Sequence, residues 1–346
     1  MGHVAESRYL AKGCERVAVL GGRADLTKQA SMPNLLILGA AKSGTSSLYR
    51  YLSQHPQVFM SRFKEPTFFV WEGREYDIRG PGVEEIGKGM VKDIDSYLRL
   101  FSDARHQRIR GEASTGYLHT PGVAERIRHR IPEARLMAIL RNPIDRAYSA
   151  FLHARRLGLE PISNFEQALD DEPHRVRNGW IGLTTYATVG MYAEQLERYL
   201  AVFPCQQIRV YLFDDLVRDP MSVSQDAYRY LGVDDAFEPD VSIQANPGTG
   251  VRSARLARAL STVRNSSFGR RSALGRSARA LVRRMNEQPK GQVAPKAHRR
   301  LAAVFEADVD KLSRLLVREL SPWLEGRTVV ANHLGPELGA YPCVRT

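Results

Sequence analysis

Residues 35–49 read LLILGAAKSGTSSLY, and no other stretch limits the fold so strongly. Its unbroken aliphatic run predicts a strand buried on both faces, and therefore a parallel sheet covered by helices. The run passes directly into Gly39, small residues, Lys42, Gly44 and a series of hydroxyls. In a βαβ unit the ligand sits beyond the carboxyl ends of the strands, where the N–H groups of a helix N-terminus meet an anion. Gly39 permits a tight exit from the strand, and Gly44 lets the backbone approach an oxyanion closely. Lys42 supplies a point charge, while Ser43, Thr45 and Ser46 supply hydroxyl donors. In a triphosphate-binding loop the lysine follows the second glycine. Here it precedes that glycine by two residues, so it reaches the anion from a different point.

The rest of the chain repeats the alternation. Strands are predicted at 35–38, 108–112, 136–140 and 208–213, and helices at 45–53, 95–101, 123–130, 144–156, 165–169, 191–202, 221–231 and 295–320. Residues 72–92 and most of 157–188 read as loop. The pattern predicts an α/β, P-loop-like three-layer domain, with a central parallel β-sheet flanked by helices. The expected organisation is an N-terminal extension over 1–31, one domain over 32–325 and a tail over 326–346. No apolar run reaches the ~18 residues that a bilayer crossing needs. Three widely separated cysteines, Cys14, Cys205 and Cys343, give neither a disulfide framework nor a zinc site, which points to a reducing, cytoplasmic setting.

The net charge of +12 is concentrated in one place. Residues 251–300 carry fourteen Lys or Arg against the single acid Glu287, and the remainder of the chain is close to neutral. Such a block fits an anionic partner or a solvated basic face. Its only aromatic is Phe268, too little for stacking on bases, so no specific nucleic-acid partner is expected. Peripheral contact with an acidic membrane through 251–300 is the alternative use of the block.

A second anion element reads RNPIDRAYS at 141–149. Pro143 suits a first helical turn and Asp145 favours its positive end. Arg141 and Ser149 are eight residues apart, a little over two helical turns, so both can face the same side. Two anion elements at neighbouring strand ends imply a ligand with two separated anionic groups. The strand at 136–140 runs into a cation where a magnesium-dependent triphosphate enzyme wants an acid. Asp214 and Asp215, after the strand at 208–213, are the residues left for a metal in that rival reading, a nucleotide kinase or NTPase.

Taken in order, GAAKSGTSSL, KEPTFF and RNPIDRAYS resemble the sulfotransferases that use 3′-phosphoadenosine-5′-phosphosulfate (PAPS), nearest the heparan-sulfate-type branch and its bacterial relatives. SQHPQV (53–58), GEASTGYL (111–118), VGMYAEQLERYL (189–200) and ELSPWL (319–324) extend the likeness. The resemblance implies that Lys42, Ser43, Gly44, Thr45 and Ser46 hold the 5′-phosphosulfate, and Arg141 and Ser149 the 3′-phosphate. It makes Lys290 and Gly291 part of a lid over the nucleotide and casts PAPS as the sulfuryl donor, with 3′-phosphoadenosine-5′-phosphate (PAP) as product and no metal. Glu65 matches the catalytic base and Lys42 the group that stabilises the leaving phosphate. Glu112 and His119 are the alternative bases, and an ion pair with Lys64 is the structural alternative for Glu65. Where heparan-type members often carry Glu-Lys, this chain has Glu112-Ala113, a departure that weakens the case for a heparan-like acceptor. A carbohydrate, glycolipid or secondary metabolite is the expected acceptor, met by loops at 70–95 and 157–188 with Trp71, Tyr76, Trp180 and Tyr186 as contacts. The sequence carries no signal for oligomeric state.

Overall fold

A computed structural model of the chain describes residues 32–75, 78–87, 89–242, 249–251, 287–289 and 291–328. The extension 1–31, Lys290, most of the basic segment and nearly all of the tail lie outside these residues.

Five parallel strands form the centre: β1 (Leu35–Gly39), β2 (Val58–Met60), β3 (Ile109–Ala113), β4 (Arg135–Leu140) and β5 (Ile208–Leu212), in the order β2-β3-β1-β4-β5. The continuous apolar runs split by alternation into two cores, as the period-2 geometry of a strand requires. Leu36 and Leu38 of β1, with Leu136, Ala138 and Leu140 of β4, face the helices Val123–Arg130, Pro143–Leu157, Tyr192–Leu200 and Pro295–Leu316. Leu35 and Ile37, with Met137 and Ile139, face the helices Thr45–Leu52 and Pro220–Leu231. The three-layer expectation therefore holds, and every strand leaves its carboxyl end on one edge.

That edge is tied down by residues within the motifs themselves. Asn142 caps the Pro143–Leu157 helix, its Oδ1 accepting from the amides of Ile144 (2.9 Å) and Asp145 (3.4 Å). Its Nδ2 donates to the Trp323 carbonyl at 2.8 Å, which joins the closing ELSPWL segment to the second anion element. The buried Trp323 donates from Nε1 to Asp214 at 3.0 Å. Asp215 pairs with Arg218 and Arg318. Both aspartates, the metal candidates of the rival reading, thus serve the packing of the domain.

Several elements differ from expectation. The region 72–92 contains a short helix, Val83–Gly87. The helix that begins at Phe165 runs to Arg177 and passes through Pro173. A proline there leaves the carbonyl four residues earlier without its usual donor. That carbonyl belongs to Leu169, and Arg300 of the Pro295–Leu316 helix supplies the missing hydrogen bond at 3.3 Å. The compensation comes from a residue 131 positions away, so no local pattern announces it. The same insertion is organised around a buried ion pair: Arg175 Nη2 donates to Glu160 Oε1 at 3.0 Å, and Tyr186 donates to Glu160 Oε2 at 2.5 Å. Cys205 is disulfide-bonded, contrary to the expectation of no disulfide framework; Cys14 and Cys343 lie outside the described residues.

Breaking a buried pair from one side leaves an uncompensated charge, which costs about 3–5 kcal/mol. Both side chains of the Glu160–Arg175 pair are fully buried. Glu160→Ala is therefore expected to lower the unfolding free energy by about that amount, measured by urea denaturation. An unchanged midpoint would show that the pair contributes nothing to the insertion.

Candidate active site

The site lies where β1 and β4 end side by side. Gly44 opens the Thr45–Leu52 helix with φ of 97°, and the helix has no side-chain cap and no acid in its first turn. A Cβ at Gly44 would stand 2.9 Å from Leu216 and 3.0 Å from Phe213, so close packing as well as conformation demands glycine. Lys42, Glu65 and Thr67 also adopt positive φ, at 70°, 63° and 53°. Non-glycine residues rarely do so, and each such conformation costs roughly 1–3 kcal/mol that the surrounding structure must offset. All three line one cavity.

The KEPTFF turn is pinned by its own aromatic pair and by β3. Phe68 stacks on Tyr97 with centroids 4.2 Å apart, and Phe69 meets Tyr97 and Tyr117 edge-on. The amide of Glu65 donates to the Ala113 carbonyl at the end of β3 (2.9 Å), and the amide of Thr67 donates to Ser114 Oγ (3.0 Å). Ser114 in turn donates to Glu112 (2.8 Å), which also accepts from Tyr97 (3.1 Å). Burial pushes the Glu112 carboxyl up to about 7, against the hydrogen bonds it receives. Glu112 is fully buried and does not line the cavity; it holds the turn in place from below.

Above this frame the Glu65 carboxylate accepts from Thr115 Oγ1 at 2.9 Å and lies 3.5 Å from Lys64 Nζ. The ion pair considered for Lys64 thus exists, but Lys64 also donates to Ser46 Oγ at 2.9 Å and so spans the KEPTFF turn and the first loop. Arg141 donates from Nη1 to the Lys42 carbonyl at 3.3 Å and lies 4.6 Å over the Phe213 ring. Ser149 lines the same cavity, as the eight-residue spacing predicted. Ser43 is fully buried, and its Oγ has no hydrogen-bond partner among the described residues.

Three participants escaped sequence reasoning: Thr115, His153 and Arg156. The latter two lie four and seven residues beyond Ser149, so helical periodicity carried the signal. His153 Nδ1 lies 2.8 Å from Arg156 Nη2. Burial, then the charges of Lys42, Arg156 and Lys64, lower its pKa to about 3, so the neutral ring accepts from the guanidinium. Lys42 is likewise lowered to about 8 by burial, with Arg156, Arg141 and Lys64 adding to the effect and Glu65 opposing it. The site holds more positive charge than its carboxylates balance. That excess and the uncapped helix start fit a ligand with phosphate-like oxyanions, whereas the fully buried Ser43 side chain does not line the cavity.

The cavity measures about 1270 Å³. Single-ligand pockets run to ~300–1,000 Å³, so it has room for two reactants. Trp71, Trp180 and His119 line its far half. Tyr186, expected there, is instead fully buried on Glu160. Gly291 places an ideal Cβ 3.2 Å from the Tyr148 hydroxyl, beside Ser149, whereas Lys290 lies outside the described residues.

With this geometry in place, comparison with known proteins is direct. Residues 33–239 match the model of the Sulfotransferase family, and the chain belongs to that family. A solved sulfotransferase from Alicyclobacillus acidocaldarius superimposes with a TM-score of 0.67 at 36% identity, covering 84% of this chain and 98% of the other. The mouse bifunctional heparan sulfate N-deacetylase/N-sulfotransferase 4 is 27% identical over 230 residues, 63% of this chain and 24% of that protein. The Drosophila melanogaster bifunctional enzyme is 25% identical over 262 residues, 69% of this chain and 23% of its own length. The chain thus spans about a quarter of the length of these curated relatives.

Burial, then the neighbouring cations, lower the Lys42 pKa to about 8. An anion binds best to the protonated lysine, so PAP affinity is expected to hold below that pH and to weaken above it by up to about tenfold per pH unit for one proton. Calorimetric titration between pH 7 and 10 checks this. Arg141→Ala, which removes one repelling charge, should move the onset upward; an unchanged onset would exclude Lys42 as its source.

Proposed function

We propose that this chain transfers a sulfuryl group from PAPS to a hydroxyl or amine of a carbohydrate, glycolipid or secondary metabolite, releasing PAP. The observation that carries this reading is the cluster of Lys42, Lys64, Arg141 and the Arg156–His153 pair around an uncapped helix start, with one carboxylate, Glu65, facing it. The donor supplies a sulfuryl group on a 5′-phosphate leaving group.

Lys42, with Ser43, Gly44, Thr45 and Ser46, surrounds the 5′ end, where negative charge grows as the sulfur–oxygen bond breaks. Fixed cations and oriented N–H groups at that point stabilise developing charge without reorganising. Lys64, held on Ser46, adds a second cation at the same end. Arg141 and Ser149 take the 3′-phosphate, with Phe213 beneath the guanidinium. Gly291, next to Tyr148, supports the assignment of the Lys290-Gly291 segment to a lid. Glu65 removes the acceptor proton, and Thr115 fixes the carboxylate from the side away from Lys64.

Two outcomes are expected. Glu65→Gln retains PAP affinity while turnover falls about 10²- to 10⁴-fold, the usual worth of a general base; near-normal turnover in a single-turnover assay would remove Glu65 from proton transfer. Arg141→Ala weakens PAP far more than it weakens adenosine-5′-phosphosulfate, which lacks the 3′-phosphate. Equal weakening of both ligands would place the 3′-phosphate elsewhere.

A further inference from the structure

The far half of the cavity differs in chemistry from the donor half. Its apolar lining is Trp71, Ile78, Met90, Trp180, Ile181 and Leu183, alongside uncharged threonines and Gln195, and Val176, 46% exposed, adds to the apolar surface. Trp180 is a fixed wall. The guanidinium of buried Arg175 lies 5.1 Å over its ring, and Gly80 packs so closely that a Cβ would stand 3.1 Å from it. Charged side chains are few on this side among the described residues that line the cavity. Beyond Glu65 there are Glu194 and Arg198, and these neutralise one another. Arg198 Nη1 donates to Glu194 at 3.0 Å and Nη2 to the His119 carbonyl at 3.1 Å. Desolvation lowers the pKa of the half-buried His119 to about 4, so it adds no charge at neutral pH.

The cavity's unbalanced cations, Lys42, Lys64 and Arg141, belong to the donor loops; a polyanionic acceptor lying against the indole walls would lose hydration without such a cation beside it among the described residues, and burial of unpaired charge is strongly unfavourable. An uncharged apolar body would instead bury its surface against the two indoles. From this we infer that the acceptor is an uncharged, largely apolar alcohol, its ring or alkyl body held between Trp71 and Trp180 and its hydroxyl presented to Glu65. The inference rests on the sulfuryl-transfer reading above and narrows it. In the step itself the hydroxyl oxygen bonds to sulfur and the bond from sulfur to the 5′-phosphate oxygen breaks. PAP leaves with the electron pair, and the acceptor proton passes to Glu65.

The test uses the full chain with 4-alkylphenols from methyl to hexyl, the anionic 4-hydroxybenzoate, and an N-deacetylated heparan-type oligosaccharide. PAP binding is measured first. Binding of each acceptor to the PAP-loaded protein is then read by tryptophan fluorescence, and turnover by PAP release from PAPS. The expected result is that kcat/KM rises by about fourfold per methylene, with indole fluorescence responding in parallel, and that the two anionic acceptors are poor. Trp180→Ala should flatten the chain-length dependence. Leu183→Lys, a substitution at a half-buried position, should reduce that dependence and raise activity on 4-hydroxybenzoate. Preference for the oligosaccharide or for 4-hydroxybenzoate, or a flat alkyl series, with PAP binding intact, would overturn the acceptor class and leave the donor reading standing. Failure to bind PAP would overturn both.

Discussion

Like charges held together dominate this structure. Lys42, Lys64, Arg141 and Arg156 share the carboxyl edge of the sheet, and the depressed pKa of Lys42 records its burial together with their mutual repulsion. Such an arrangement persists only because the two cores beneath it are well packed and because the backbone around Lys42, Glu65 and Thr67 is held by strand-end hydrogen bonds. The repulsion is relieved when an anion arrives. The site is therefore preorganised for negative charge in the sense that matters for transfer chemistry: the cations need not move as charge develops on the leaving group.

Much of this was legible in the residues. The aliphatic runs at β1 and β4 predicted a buried parallel sheet, and the positions of Lys42, Gly44, Arg141 and Ser149 predicted where an oxyanion would sit. The features that were not legible depended on contacts between distant segments. Arg300 completes the Leu169 carbonyl left free by Pro173, so a helix continues where the local pattern argued for loop. Tyr186 looked like an acceptor contact because an aromatic in a loop often is one, but the buried Glu160 claims its hydroxyl. Glu112 looked like a second base, and only its depth in the fold shows that it supports the Glu65 turn through Ser114. Arg156 and His153 could have been found by extending the helical spacing beyond Ser149.

The two halves of the cavity are built by different means. The donor half stands on strand ends and helix starts, the most rigid parts of a doubly covered sheet. The acceptor half leans on the insertion between the Pro143–Leu157 and Tyr192–Leu200 helices, which carries its own buried Glu160–Arg175–Tyr186 network. Glu65 stands at the boundary, with its amide on β3 and its carboxylate on Thr115.

That anchoring has a consequence for how such a chain diverges. Because the Glu65 amide is bound to a sheet strand, the position of Glu65 is set apart from the insertion that carries Trp180. The insertion, folded on its own ion pair, can be lengthened, shortened or relined while the transfer machinery stays in register. One scaffold can then be retooled for a succession of acceptors, each new specificity inheriting a working base and donor cradle.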